Sequence, residues 1–137
     1  MSKDFLHAWA TNLLHRSTVQ LATAVHAVGL HDVHTGPGWQ YARIEIEAEP
    51  AHAFCVSFEM DATLIAQLQK DYWLDEAVFG VLDMLATNSS SPVFGVRIRV
   101  VKAEQDPIRS SRIAFRLAGR AAGGQILRLA AAPSTCP

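Results

Sequence analysis

Cysteine is scarce in this chain, and the short motifs of common catalytic sites are missing. The two cysteines among its 137 residues, Cys55 and Cys136, are too few for a disulfide framework and predict a reducing, cytoplasmic compartment. No glycine-lysine phosphate loop, Cys-x-x-Cys pair, His-Glu-x-x-His motif or nucleophile elbow occurs. Their absence excludes P-loop binding of GTP and removes the usual grounds for an enzyme, so we expect no catalytic activity and no cofactor.

Long apolar runs and a strong net charge are also absent. No apolar stretch reaches the length of a membrane span, and the first residues lack the core of a signal peptide, so we expect no membrane contact. The formal net charge is −1, which gives the chain as a whole little attraction for nucleic acid. Basic residues are nevertheless concentrated in residues 96–128. This asymmetry predicts a basic face; the alternative is that acidic strands lie beside basic strands in one sheet.

What the chain does have is clear periodicity. Half of its residues are hydrophobic, which is enough for the core of one domain. We predict an α+β domain over residues 17–131, preceded by an N-terminal helical extension (1–16) and followed by a short tail (132–137). The clearest strand is Tyr41–Glu49, in which apolar and charged residues alternate. Cys55 stands in the next apolar run and is expected to be a buried thiol.

The other elements follow from apolar spacing and from Gly, Pro and Ser punctuation. In chain order we expect a helix over Asp4–Arg16, a strand over Val19–Val28, a loop over Gly29–Gly38, a hairpin partner of Tyr41–Glu49 at Phe54–Phe58, helices over Asp61–Lys70 and Leu74–Leu85, a strand over Val93–Val101, a helix from Ser110 or Ser111 to about Ala122, and a last strand over Ile126–Ala131. The residues expected to be buried on the helices include Val81, Leu85, Ile113 and Leu117.

Two blocks of the sequence, Gly36–Pro50 and Pro92–Gly119, carry a resemblance to a known family. The matching pieces are, in order, the Gly/Pro loop, Gln40-Tyr41, the strand ending in Glu49-Pro50, the strand after Pro92, Ser110-Ser111 and Ala114-Phe115-Arg116. Together they resemble domain IV of translation elongation factor G from about Val19 to Ala122. The resemblance implies a two-layer α/β sandwich with about four to five strands, helices on one face of the sheet and a left-handed βαβ crossover.

The same resemblance implies a location for the contact surface. In elongation factor G, two loops at the tip of domain IV reach the decoding centre of the small ribosomal subunit, and they correspond here to Thr35–Gln40 and Glu104–Arg109. Trp39 stands where the family has a glycine, and Asp106 stands where it has a histidine. Trp39 is a candidate for stacking on an RNA base or for burial against a partner.

An arginine stripe is the best candidate for RNA contact. Arg112, Arg116 and Arg120 follow each other at four-residue intervals, so they share one face of the predicted helix. Aligned guanidinium groups suit a phosphate backbone, whereas the alternative is a solvated helix face paired with acidic neighbours. The full set of candidate RNA-binding residues is Trp39, Gln40, Arg97, Arg99, Arg109, Arg112, Arg116 and Arg120.

Histidines form the one cluster that looks like a set of metal ligands. His26, His31 and His34 lie close in sequence with Asp32, and imidazole and carboxylate groups are zinc ligands. Histidines in a loop are more often simply solvated, so we predict no metal site and keep these residues as weak candidates.

Three functional hypotheses follow. The first is a non-catalytic, stand-alone protein like domain IV of elongation factor G, which binds the ribosome or structured RNA through the basic helix face. The second is a protein-interaction or homo-oligomerising module that kept the fold and lost RNA binding, with Glu45, Glu47 and Glu49 meeting the arginine stripe of another copy. An enzyme of unknown type ranks last.

Overall fold

The computed structural model describes residues 19–35, 38–87 and 92–131. The helix expected over Asp4–Arg16 and the tail over 132–137 therefore lie outside the described residues. Within these ranges the strands are β1 (Val19–Gln20), β2 (Val25–Thr35), β3 (Gly38–Pro50), β4 (Cys55–Phe58) and β5 (Val93–Glu104), and the helices are α1 (Ala62–Gln69), α2 (Trp73–Thr87) and α3 (Arg112–Ala131). None of these helices is long and apolar enough to cross a membrane.

β5 is the central strand of a mixed sheet. On one side it pairs antiparallel with β3, which pairs antiparallel with β2. On the other side it pairs with β1 and β4, and both run parallel to it. α1 and α2 connect β4 to its parallel neighbour β5, which makes a βαβ unit whose handedness stays a prediction. The sheet and helices together confirm the predicted α+β class.

The helices cover one face of the sheet. α2 and α3 pack against each other, and both contact the sheet. On that face the apolar residues of β3, such as Ile44 and Ile46, are completely buried, while the charged residues between them stand on the open face. The core between the layers also contains Phe94, Phe115 and Ile98. The strict alternation in β3 is therefore a direct result of the one-sided cover.

α2 and α3 approach each other until their backbones touch. A β-carbon at Gly119 of α3 would overlap the carbonyl oxygen of Ala77, and one at Gly80 of α2 would overlap that of Arg116. The missing side chains allow this approach, because any larger residue would hold the helices apart. The contact determines the distance at which all other side chains of the two helices meet.

The prediction that Gly123-Gly124 ends the last helix, with a strand over Ile126–Ala131, is wrong. α3 continues through both glycines to Ala131. Ala118, Ala122 and Ile126 follow at helical spacing and are fully buried. Packing of this apolar face outweighs the low helix propensity of glycine, which is roughly 1 kcal/mol per residue.

Two predictions about the strands are also wrong. The segment predicted as a loop, Gly29–Gly38, lies mostly in β2, which extends to Thr35. Phe54–Phe58 does not form a hairpin with β3, because β5 occupies that edge of β3 and β4 pairs with the far side of β5. Cys55 consequently points to the open face of the sheet and is an exposed free thiol, not a buried one.

The single strand predicted over Val19–Val28 is also wrong, because the structure divides it into β1 (Val19–Gln20) and β2, which begins at Val25 and lies at the opposite edge of the sheet. The remaining predicted elements agree with the structure, with one exception in burial. The strands at Tyr41–Glu49 and Val93–Val101 and the helices at Asp61–Lys70 and Leu74–Leu85 are confirmed. Val81 and Leu85 are fully buried as predicted. Ile113 is 64% exposed and Leu117 is half-buried, because the side of α3 that carries them turns away from both the sheet and α2.

We predict that Gly119→Ala destabilises the fold, whereas Gly124→Ala does not. The new methyl group at Gly119 meets backbone that cannot move aside, so the cost is expected to be about 1–3 kcal/mol or more. At Gly124 the nearest neighbour is the flexible end of Met84, 3.3 Å away, and the change gains up to about 1 kcal/mol of helix propensity. Urea unfolding of the two variants measures both effects, and equal stability would contradict the close helix contact.

Candidate functional site

The arginine stripe of α3 lies on the side of the helix next to α2, and its side chains are partly exposed. The guanidinium of Arg116 donates to Glu76 at 2.8 and 2.9 Å, and Glu76 is only 7% exposed. Arg120 forms an ion pair with Asp83. Arg112 is exposed; its Nε donates to the carbonyl oxygen of Asp71 at 3.1 Å.

These partners change the interpretation of the stripe. The three arginines do share a helix face, as their spacing predicted. That face is the one brought against α2 by the helix contact at Gly119, so two of its guanidinium groups neutralise acidic residues of α2. Arg116 and Arg120 therefore have the acidic neighbours that the alternative interpretation expected, and phosphate contact by the stripe stays a prediction.

Arg97 and Arg99 lie on the open face of the sheet beside acidic residues of β3. In the strand register Glu47 is opposite Arg99 and Glu49 is opposite Arg97. Arg99 also contacts Glu59 at 3.1 Å. Acidic and basic strands therefore lie side by side, which confirms the alternative reading of the charge asymmetry. Each exposed pair contributes only about 0–1 kcal/mol.

The start of β3 and the loop Glu104–Arg109 meet at one end of the sheet, which we call the tip. The N–H of Tyr41 donates to the carbonyl oxygen of Arg109 at 3.2 Å. In return the hydroxyl of Ser110 donates to the carbonyl oxygen of Tyr41 at 2.6 Å. The guanidinium carbon of Arg109 lies 3.3 Å from the centre of the Trp39 ring. The tip is therefore joined by both backbone and side-chain contacts.

Trp39 and Gln40 point to opposite faces of β3. The Trp39 ring stacks on His34 with 4.2 Å between ring centres, and its Nε1 donates to Asp32 at 2.6 Å. Gln40 contacts His31 at 2.8 Å on the other face. An RNA base that stacked on Trp39 would compete with His34 and Arg109, so base stacking by Trp39 stays a prediction.

Asp106 holds the shape of the tip loop. Its carboxylate accepts hydrogen bonds from the N–H groups of Ile108 and Arg109 at 2.9 and 3.1 Å, and from the Arg109 side chain at 2.8 Å. The pKa of Asp106 is held below its usual value. The hydrogen bond from the Ile108 N–H is the main cause, and the N–H and the charge of Arg109 add to it. Ile108 is left 90% exposed at the outside of the loop. The sequence alone did not single out Ile108 as a residue that would be exposed.

The histidines of β2 do not converge. His26 lies between Glu47 and Glu45, at 2.5 and 3.2 Å, and the bond to Glu47 is the main cause of its raised pKa. His31 points to the opposite face, and His34 stacks on Trp39. In the part of the chain that the structure describes, no three His, Cys, Asp or Glu side chains are arranged to hold a metal ion.

A buried carboxyl group at the start of α2 was not anticipated from the sequence. Asp75 is 1% exposed, and its Oδ1 accepts a hydrogen bond from Gln69 at 2.9 Å. Its Oδ2 has no hydrogen-bond partner within the described ranges. Burial raises the pKa of Asp75, against the smaller effect of the Gln69 bond. The protonation of Asp75 is therefore linked to the stability of the fold.

The fold is similar to part of a solved protein from Thermus thermophilus. The TM-score is 0.70 at 20% sequence identity, and the match covers 84% of this chain but 17% of that chain. At this identity the likeness supports the fold alone. Comparisons with family models and with curated proteins give no match.

We predict that Arg116→Gln destabilises the protein by about 1–3 kcal/mol, because it leaves the buried carboxylate of Glu76 without its charged partner. The partial exposure of Arg116 keeps the cost below that of a fully buried pair. Arg112→Gln is the matched control and is expected to change stability by less than about 0.5 kcal/mol. Adding Glu76→Gln to Arg116→Gln should recover part of the loss in urea unfolding; no recovery would show that the pair is not the cause.

We also predict a pH dependence from Asp75. Because its pKa is higher in the folded than in the unfolded state, the proton stabilises the fold at acidic pH, and this contribution is lost as the pH rises through the folded-state pKa. Asp75→Asn lacks this titration. Its stability relative to the unmodified protein should therefore increase as the pH is raised, in denaturation midpoints measured from about pH 4 to about pH 8. Parallel pH profiles would refute the assignment.

Proposed function

We propose that this chain is a non-catalytic protein-interaction module with a fold like domain IV of elongation factor G, and that it contacts its partner through the tip. The proposal rests on one observation: the arginines of α3 already have hydrogen-bond or ion-pair partners within the chain. Arg116 and Arg120 are ion-paired to α2, and Arg112 is bonded to the backbone of Asp71, just before α2. The helix face expected to bind phosphate is therefore engaged within the chain.

The charge of the tip supports a protein partner over RNA. The carboxylates of Asp32, Glu104 and Asp106 are equal in number to the cations next to them, Arg43, Lys102 and Arg109. Affinity for nucleic acid depends largely on cations that displace counterions from phosphates. A surface with no surplus of cations lacks that source of affinity.

Apolar exposure at the tip supports the same conclusion. Ile108 is 90% exposed beside Arg109, and Val33, next to His34 in β2, is 37% exposed. Apolar side chains surrounded by polar groups are typical of protein contacts. The Asp106 hydrogen bonds and the Trp39–Arg109 contact hold the loop in place before binding, which reduces the entropy lost on association.

A second candidate, binding to the ribosome or structured RNA, has one observation in its favour. The start of β3 and the loop Glu104–Arg109, which the family resemblance associates with the decoding centre, do meet at the tip. Arg97 and Lys102 offer accessible cations for phosphate, since their side chains are 54% and 60% exposed. For either function we propose the reducing cytoplasm, where an exposed thiol such as Cys55 stays free.

A pull-down with and without nuclease, combined with direct RNA titration, separates the two functions. We expect the protein partner to be retained after nuclease, and we expect no binding to structured RNA or small ribosomal subunits that weakens between about 50 and 200 mM salt. Ile108→Asp should abolish partner capture, because it places a charge in the apolar part of the tip. Leu129→Asp, at another exposed apolar side chain at the far end of α3, is the matched control and should retain it.

Two results would overturn the proposal. One is RNA binding with a steep salt dependence that Arg97→Gln with Arg99→Gln reduces. The other is unchanged capture by the Ile108→Asp variant, which would place the contact elsewhere.

A further inference from the structure

We propose that β2 is also an interface with a second copy of this chain, in which two β2 strands pair antiparallel about a two-fold axis and join two sheets edge to edge. This interface shares Val33 and Asp32 with the tip but does not involve Ile108, and it goes beyond the proposed function. It also differs from a dimer through the arginine stripe, whose members already have partners on α2 or just before it.

β2 is an edge strand with few of the features that normally prevent pairing. It pairs with β3 over its whole length, Val25–Thr35, without a register shift, and it is the last strand on that side of the described sheet. Edge strands usually carry lysine, proline or a bulge that blocks a further strand. β2 has no Lys, Arg or Pro, and its one carboxylate, Asp32, is engaged by the Trp39 indole.

The outward backbone groups of β2 can be identified from one hydrogen bond. The N–H of Val28 donates to the side-chain oxygen of Gln125 on α3 at 2.6 Å, so the backbone of Val28 points away from β3. Because the direction alternates along a strand, the backbone groups of Leu30, Asp32 and His34 point outward as well. At Val28 the backbone N–H already donates to the amide oxygen of Gln125, which takes the place of a carbonyl oxygen of a neighbouring strand.

α3 covers only one half of this edge. Ser110, just before α3, is bonded to Tyr41 in β3, whereas Gln125, further along α3, reaches the outer edge of β2 at Val28. The helix therefore crosses the sheet diagonally. Among the described residues, it leaves the segment Leu30–Thr35 without a cover on its outer edge.

The exposed apolar side chains lie where this interface would need them. Leu30 is 51% exposed and Val33 is 37% exposed, and they project to opposite faces of the uncovered half of β2. Leu117 and Ala121, two helical turns and one helical turn before Gln125, line the adjoining side of α3 and are half-buried and exposed, respectively. A second strand beside β2 would cover apolar surface on both faces of the sheet.

A second copy is the occupant that fits this edge. A strand can always pair antiparallel with its own copy about a two-fold axis, because the same surface serves both partners. With the axis at Val33, Asp32 lies opposite His34 of the other copy, so the two aspartates do not face each other and the second strand does not reach Val28, where Gln125 occupies the edge. The net charge of −1 gives little repulsion between copies.

Sedimentation equilibrium of the full chain over a range of concentrations tests the proposal. We expect a concentration-dependent species of twice the 15.0 kDa chain mass. Leu30→Lys, which introduces the usual blocking residue of natural edges, should raise the dimer dissociation constant by about tenfold or more. Leu129→Lys changes an apolar residue of similar exposure away from the edge and should leave the dissociation constant unchanged.

Amide hydrogen exchange of the unmodified protein provides a readout that does not depend on how the variants fold. The N–H groups of Asp32 and His34 should become more protected as the protein concentration rises. A chain that stays monomeric at all concentrations, or a dimer whose exchange at these two amides does not change with concentration, would overturn the proposal, and a peptide from another protein would then be the remaining occupant. Ile108→Asp should still dimerise, so loss of tip binding and loss of the dimer are separately measurable.

Discussion

Direct contact between the backbones of α2 and α3 is the constraint on which the remainder of the structure depends. Gly80 and Gly119 allow the two helices to touch, and this distance places Arg116 within reach of Glu76. A wider separation would leave a buried carboxylate without a charged partner, which is costly. The same contact determines which side of α3 faces α2 and, by exclusion, which side is left for the edge of the sheet.

Charge pairing within the chain shapes what the surface can bind. On the open face, the carboxylates of β3 lie beside the guanidinium groups of β5, and His26 lies between two glutamates. On the helical layer, acidic residues of α2 meet the arginines of α3. Most charges of the described residues therefore have a partner inside the molecule, and the basic residues of 96–128 alternate with acidic neighbours. This charge pairing is the physical reason for which we propose a protein partner and not RNA.

Two surfaces of the described chain remain without internal cover: the apolar outside of the tip at Ile108, and the outer edge of β2. They differ in origin. The tip is a loop held rigid by Asp106 and by the Arg109–Trp39 contact, so it presents side chains. The edge presents backbone groups, because no strand follows β2 in the described sheet. The first surface would therefore contact a partner through side chains, whereas the second would pair with another copy through its backbone.

The sequence by itself determined the elements whose signal is local. Alternation in Tyr41–Glu49 and helical spacing in Leu74–Leu85 reflect which face of each element is buried, and both predictions are confirmed. It also placed three arginines on one face of α3. Only the tertiary structure decided that this face meets α2, that α3 continues past Gly123-Gly124, and that β4 pairs with β5 and not with β3. Those outcomes depend on contacts between residues far apart in the chain. The packing of the whole core outweighs local propensity there, and no short-range sequence pattern identifies which element will be the partner.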